Sequence, residues 1–117
     1  MLLDMKAGFH NIPVLSGEED VLGIVTQDGL FRYKRMAFGL KGAPLWFQYC
    51  MDTLLARAAV DCAKAFVDDV TLVGTCDRWK QLWDSTLRLL LVLTTAGFMV
   101  NLRKCKFLVP KAVVLGY

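Results

Sequence analysis

Proline and histidine are scarce in this chain of 117 residues, which has 3 of the former and only His10 of the latter. Its four cysteines, Cys50, Cys62, Cys76 and Cys105, form no C-x-x-C pair and none lies near His10. That spacing argues against a zinc site and suits reduced thiols. Long apolar runs are also missing. The longest near the middle, Leu89 to Leu93, falls far short of the roughly 18 residues a membrane span needs. No secretory leader opens the chain, so the expected residence is cytoplasmic or nuclear, without a membrane. There is no internal repeat and no low-complexity linker. Length excludes two full domains, and a hydrophobic fraction of 56% argues against disorder, because burial can offset chain entropy.

Acidic residues are absent from two stretches. Between Asp28 and Asp52 the only charges are Arg32, Lys34, Arg35 and Lys41; after Asp84 they are Arg88, Arg103, Lys104, Lys106 and Lys111. The net charge of +3 identifies no partner, but these two stretches could face a polyanion, or serve as ordinary solvated faces.

Val21 to Thr26 and Leu30 to Met36 flank Gln27, Asp28 and Gly29, which predicts an antiparallel hairpin with basic residues on its second arm. From Pro44 the apolar positions Phe47, Cys50, Met51, Leu54, Leu55 and Ala58 fall on one stripe of a helix, and Pro44 suits its first turn. Ala63 to Val67 and Val70 to Gly74 then predict a second hairpin, tipped by Asp68 and Asp69. Adjacent aspartates are a poor two-residue turn, strained and repulsive unless a cation sits there. Thr75 or Asp77 is expected to cap a long helix ended by Gly97, with Trp79, Leu82, Trp83, Thr86, Leu90 and Leu93 on one face and both tryptophans in the core. Met1 to Leu3 and Val113 to Leu115 read as strands at the two ends, so the chain is expected to be cut from a longer one.

This order predicts an α+β fold, an antiparallel sheet with helices packed on one face. Asp4 ends the first strand. If that strand neighbours the central hairpin, Asp4, Asp68 and Asp69 converge at one end of the sheet and call for a hard divalent ion such as Mg²⁺. The alternative is an exposed turn with Asp4 elsewhere.

Five segments bear on this choice: LLDMKAGFHNIPV at 2 to 14, GIVTQDGLFRYKRMAFGLKGAPLWFQ at 23 to 48, FVDD at 66 to 69, GFMVNLRKCKF at 97 to 107, and the closing LGY. In this order they resemble the palm of a reverse transcriptase of the Ty3/Gypsy type of LTR retrotransposon, over nearly the whole chain. The resemblance implies a polymerase palm with part of the fingers across 1–117, working as an RNA-directed DNA polymerase. It implies two Mg²⁺ ions, with Mn²⁺ as a substitute, held by Asp4 and Asp68 with support from Asp69. Phe9 matches the ring that collides with a ribose 2′-hydroxyl, although a plain core phenylalanine would look the same. Phe38 and Gly39 match the turn beside the incoming nucleotide, with Gln48 in a supporting position. Lys104 matches the lysine that protonates pyrophosphate, while Arg103 and Lys106 steady phosphates. Arg32, Lys34 and Arg35 are expected on nucleic-acid phosphates. Leu115, Gly116 and Tyr117 match the start of the primer grip.

Two positions depart from the family pattern. Phe38 stands where retroviral relatives often carry Gln, and Phe66 where many carry Tyr; neither change touches the implied metal ligands. The implied partners are an RNA or DNA template with its primer, deoxynucleoside triphosphates, and the fingers, thumb and RNase H segments of a polyprotein, with virus-like particles as a further location. A catalytically inert transposon remnant that binds nucleic acid weakly shares all these motifs. Phe9 disfavours an RNA-dependent RNA polymerase palm.

Overall fold

The computed structural model describes residues 1–17 and 22–111. Seven main elements follow in order: β1 (Leu2–Asp4), β2 (Gly23–Thr26), β3 (Gly29–Arg32), α1 (Ala43–Ala58), β4 (Ala63–Phe66), β5 (Asp69–Leu72) and α2 (Trp79–Thr95). The sheet that matters runs β1-β5-β4, antiparallel throughout. Its strands alternate. Leu3, Val70, Leu72 and Ala63 are buried with Phe47, Met51, Leu89 and Leu93 of the helices, whereas Leu2, Asp4, Asp69, Thr71 and Phe66 belong to the other face, in keeping with the two-residue period. The expected α+β layering, with helices on one face, is therefore the observed one.

In α1 the buried positions are Ala43, Phe47, Met51, Leu54 and Ala58, the stripe that the spacing predicts, and Pro44 lies in the first turn. The end of α2 is also as expected: Gly97, at φ 87°, donates to the Thr94 carbonyl, and Phe98 donates to Leu93. This pair of bonds satisfies the last carbonyls of the helix.

Four expectations need correction. Trp79 and Trp83 are not core; they are 48% and 37% exposed. The buried face of α2 is Thr86, Leu89 and Leu93, so the helix is rotated to seat Leu89, and Trp83 instead sets its edge against Phe107 at 6.0 Å. Neither Thr75 nor Asp77 caps α2, because a short 3-10 turn, Cys76–Arg78, leads into it without a side-chain cap. The tip of the second hairpin is Val67-Asp68, with Asp69 already paired to Phe66 inside β5. The first hairpin is shorter than predicted. Thr26 pairs with Gly29, β3 stops at Arg32, and the chain then turns so that Arg35 bridges to Pro13 and Met36 donates to the Ile12 carbonyl. The start of the first predicted arm, Val21, and the last predicted strand, 113–115, lie outside the described residues.

Candidate active site

The site begins with a strand register. Asp4 closes β1 directly opposite Asp69, which opens β5. Directly opposed residues of an antiparallel pair stand side by side on one face, their Cβ atoms about 4.5–5.5 Å apart. Asp68 occupies the adjoining turn, and its carbonyl accepts from Met5 N–H at 2.9 Å. The three aspartates that spacing alone could not bring together thus share one end of the sheet. Burial pushes the Asp69 carboxyl above the ordinary range, the charges of Asp68 and Asp4 push it further, and Lys104 partly offsets them.

Lys104 reaches this end because the segment after α2 runs back along the free edge of β1. Leu2 and Lys106 exchange two backbone hydrogen bonds of 2.8 Å, and Asn101 donates to the Asp4 carbonyl at 2.8 Å. A tight turn follows, with Lys104 N–H on the Asn101 carbonyl at 3.0 Å. Its ammonium comes to 3.8 Å from Asp4 Oδ2. Cys105 points inward and its Sγ accepts from Asp4 N–H at 3.5 Å. Arg103 and Lys106 are exposed on the same segment.

Gln48 turns out to hold the carboxylate turn from below. Its Oε1 accepts from Val67 N–H at 2.9 Å, while its Nε2 donates to the Ala65 carbonyl at 3.0 Å and to Asp52 Oδ1 at 2.9 Å. Val67 needs such a hold. A branched side chain at φ 51° is rare, so the strain expected of an Asp-Asp turn falls on the preceding residue.

Beside the aspartates lies an aromatic wall. Ala7, at φ 52°, turns the chain into a 3-10 segment, Gly8–Asn11. Phe9 is half-buried between Phe47 and Phe38, with ring centroids 5.2 Å and 5.3 Å away. Phe38 is otherwise exposed and also meets the edge of His10, whose Nδ1 lies 3.1 Å from the Met36 carbonyl. Gly39 follows at φ 85°, a conformation that glycine adopts readily.

The predicted phosphate contacts are dispersed. Arg32, Lys34 and Arg35 are exposed on and after β3, and Arg35 donates from Nη1 to the Asn11 carbonyl, which ties it to the 3-10 segment. Leu115, Gly116 and Tyr117 lie outside the described residues. Two residues that the spacing does not single out emerge: Cys105, through its contact with Asp4, and Gly8, which backs onto Asp68. A lone glycine in a turn could have flagged only the latter.

Among the described residues no three His, Cys, Asp or Glu side chains enclose a metal by themselves. The donors present are an open set of carboxylate oxygens. That chemistry fits Mg²⁺, which commonly uses one or two carboxylates and leaves its other positions to water and phosphate.

Known proteins resemble this chain over nearly its whole length. The family model described as reverse transcriptase (RNA-dependent DNA polymerase) matches residues 1–117. The Retrovirus-related Pol polyprotein from transposon opus of Drosophila melanogaster is 30% identical over 115 residues, which are 98% of this chain and 11% of that protein. The Transposon Tf2-3 polyprotein of Schizosaccharomyces pombe is also 30% identical, over 98% of this chain and 8% of its own length. The chain thus spans about a tenth of the curated relatives it matches. Among solved structures, the foamy viral protease-reverse transcriptase in complex with double-stranded DNA superposes with a TM-score of 0.82 at 20% identity, covering 98% of this chain and 20% of that one. The same viral enzyme in complex with an RNA/DNA hybrid gives 0.81 at 20% identity, over 98% and 15%. Matched over its whole length by the family model, and related to transposon polyproteins of the Ty3/Gypsy type, the chain belongs to the reverse transcriptase family.

Proposed function

We propose that this chain is the catalytic palm, with one hairpin of the fingers, of an RNA-directed DNA polymerase that adds deoxynucleotides to a primer 3′-hydroxyl on an RNA or DNA template. The observation that carries this reading is the opposed pair Asp4 and Asp69 with Asp68 in the adjoining turn. Asp4 and Asp68 would hold two Mg²⁺ ions, or Mn²⁺ in their place, with Asp69 supporting them. Bound there, the ions supply activation of the primer hydroxyl and neutralisation of charge on the triphosphate and pyrophosphate.

The remaining roles belong to the chain's own residues. Phe9, braced by Phe47 and Phe38, presents a ring edge that excludes a ribose 2′-hydroxyl. Phe38 and Gly39 offer the incoming nucleotide an apolar and backbone contact in place of an amide side chain. Lys104 holds a proton close enough to Asp4 to pass it to departing pyrophosphate, whose phosphate oxygens keep the ammonium charged until then. Arg103 and Lys106, with Arg32 and Lys34, contact template or primer phosphates. The solved relatives named above, in complex with double-stranded DNA and with an RNA/DNA hybrid, support duplex nucleic acid as the partner. Cytoplasmic, particle-associated or nuclear residence is consistent with this role.

The test is primer extension by the 117-residue chain with Mg²⁺ or Mn²⁺, beside a salt titration of primer-template affinity. Catalysis of this class is mostly positioning, which contributes about 7–11 kcal/mol of barrier reduction when complete. The chain alone is therefore expected to extend primers weakly or not at all, and to bind duplex with an affinity that falls steeply with salt. In an enzyme completed with fingers and thumb, Asp4→Asn or Asp68→Asn should abolish extension, and Phe9→Val should admit ribonucleotides. Salt-independent binding, or a completed enzyme indifferent to Asp68→Asn, refutes the reading and leaves an inert remnant.

A further inference from the structure

We propose that Gly8 is a positioning residue whose missing side chain sets where Asp68 stands; the inference rests on the reading of Asp68 as a metal ligand. Gly8 is buried in the 3-10 segment, and its φ lies outside the left-handed region that favours glycine. Conformation does not demand glycine here. Space does: a Cβ at this position would lie 3.1 Å from Phe47 Cζ and 3.2 Å from Asp68 Cβ. Gly39 and Gly97 are the converse, with positive φ and nothing within 4 Å of where a Cβ would be.

Contacts this short require a neighbour to move by a few tenths of an ångström, and the two neighbours are unequal. Phe47 is fully buried and locked by ring contacts to Phe9 at 5.2 Å and Phe98 at 5.9 Å. Asp68 is exposed on its turn. A Cβ moves only with its backbone, so the displacement passes into the Val67-Asp68 turn, which the Met5 N–H on the Asp68 carbonyl and Gln48 on Val67 N–H otherwise hold, and it shifts the carboxylate relative to Asp4. The close approach of the bare Gly8 backbone to the Asp68 Cβ thus gauges the distance between the metal-binding carboxylates, with Phe47 as the fixed wall.

The measurement is Mn²⁺ affinity, read by electron paramagnetic resonance of free ion, with thermal melts on the same samples. Gly8→Ala should weaken Mn²⁺ binding by roughly tenfold, as loss of an outer-shell partner does, while the melting temperature changes little. Gly42→Ala, whose Cβ would meet nothing within 4 Å, should bind like the parent. Adding Phe47→Leu withdraws the wall, so Phe47→Leu with Gly8→Ala should bind Mn²⁺ like Phe47→Leu alone. If Gly8→Ala fails to fold, that last comparison decides: equal affinities support the gauge, and a persistent loss overturns it. Folded Gly8→Ala with parental affinity also overturns it. A parent that binds no Mn²⁺, or binds it regardless of Asp68→Asn, instead refutes the functional reading beneath.

Discussion

Asp69 carries the electrostatic cost of the site. A carboxyl whose pKa is raised by folding binds its proton more tightly in the native than in the unfolded chain, so its contribution to stability is greatest at low pH. It is lost as pH climbs past the ordinary carboxyl value, about 3.9, toward the raised one. In metal-free buffer Asp69→Asn should therefore melt higher than the parent at neutral pH, with the difference vanishing in acid. Mg²⁺ should shrink it by stabilising the charged form. Parallel melting curves across pH would refute this account. Gln48 is the other decisive side chain: Gln48→Leu leaves Val67 N–H without its acceptor. An unpaired buried donor costs about 1–3 kcal/mol, which urea unfolding would read as a lowered midpoint. An unchanged midpoint would mean that water replaces the amide.

Elements differ in how well they are held. The β1-β5-β4 sheet has one face sealed by α1 and α2, whereas the β2–β3 hairpin leaves Val25, Leu30 and Phe31 all exposed, Val25 by 82%. An isolated two-stranded hairpin is marginal in water. Backbone amides of Ile24–Phe31 should exchange with deuterium well before those of Leu3 and Val70, an order that hydrogen exchange followed by mass spectrometry can check; uniform protection would show that the hairpin is packed. At the end of α2, Gly97→Ala places a Cβ at φ 87° and should cost about 1–2 kcal/mol. A stability equal to the parent would mean that the helix end rearranges freely.

The whole molecule measures 58 × 27 × 22 Å, with a radius of gyration of 16.6 Å. A compact chain of this length would have about 13 Å. Its accessible surface of 8393 Å² likewise exceeds the roughly 6,400 Å² usual for its mass. The excess is apolar in part: Leu45, Trp46 and Tyr49 of α1 and Leu87 and Leu91 of α2 all face outward. A surface of this kind favours self-association at high concentration. Light scattering should show mass rising with concentration and falling back in mild detergent; a strict monomer at every concentration would refute this.

The α1 stripe, the Schellman end at Gly97 and the layering of helices on one face were legible in residue order, because each depends on local periodicity or on one residue's backbone freedom. The motifs that resembled a reverse transcriptase were legible for the same reason: Asp4, the FVDD run and Lys104 are points on a line. Their convergence was not. It required β1 to pair with β5 so that Asp4 faces Asp69, and the returning segment to lie along the other edge of β1, pairings fixed by hydrogen bonds between residues as much as 104 positions apart, such as Leu2 and Lys106. The tryptophans lie outside the core although a large ring is apolar, because only packing decides which side of a helix the core admits. Gly8 shows the limit most sharply. The need for glycine there comes from a residue 60 positions later whose Cβ has no room beside another, and that distance exists only once the chain has folded.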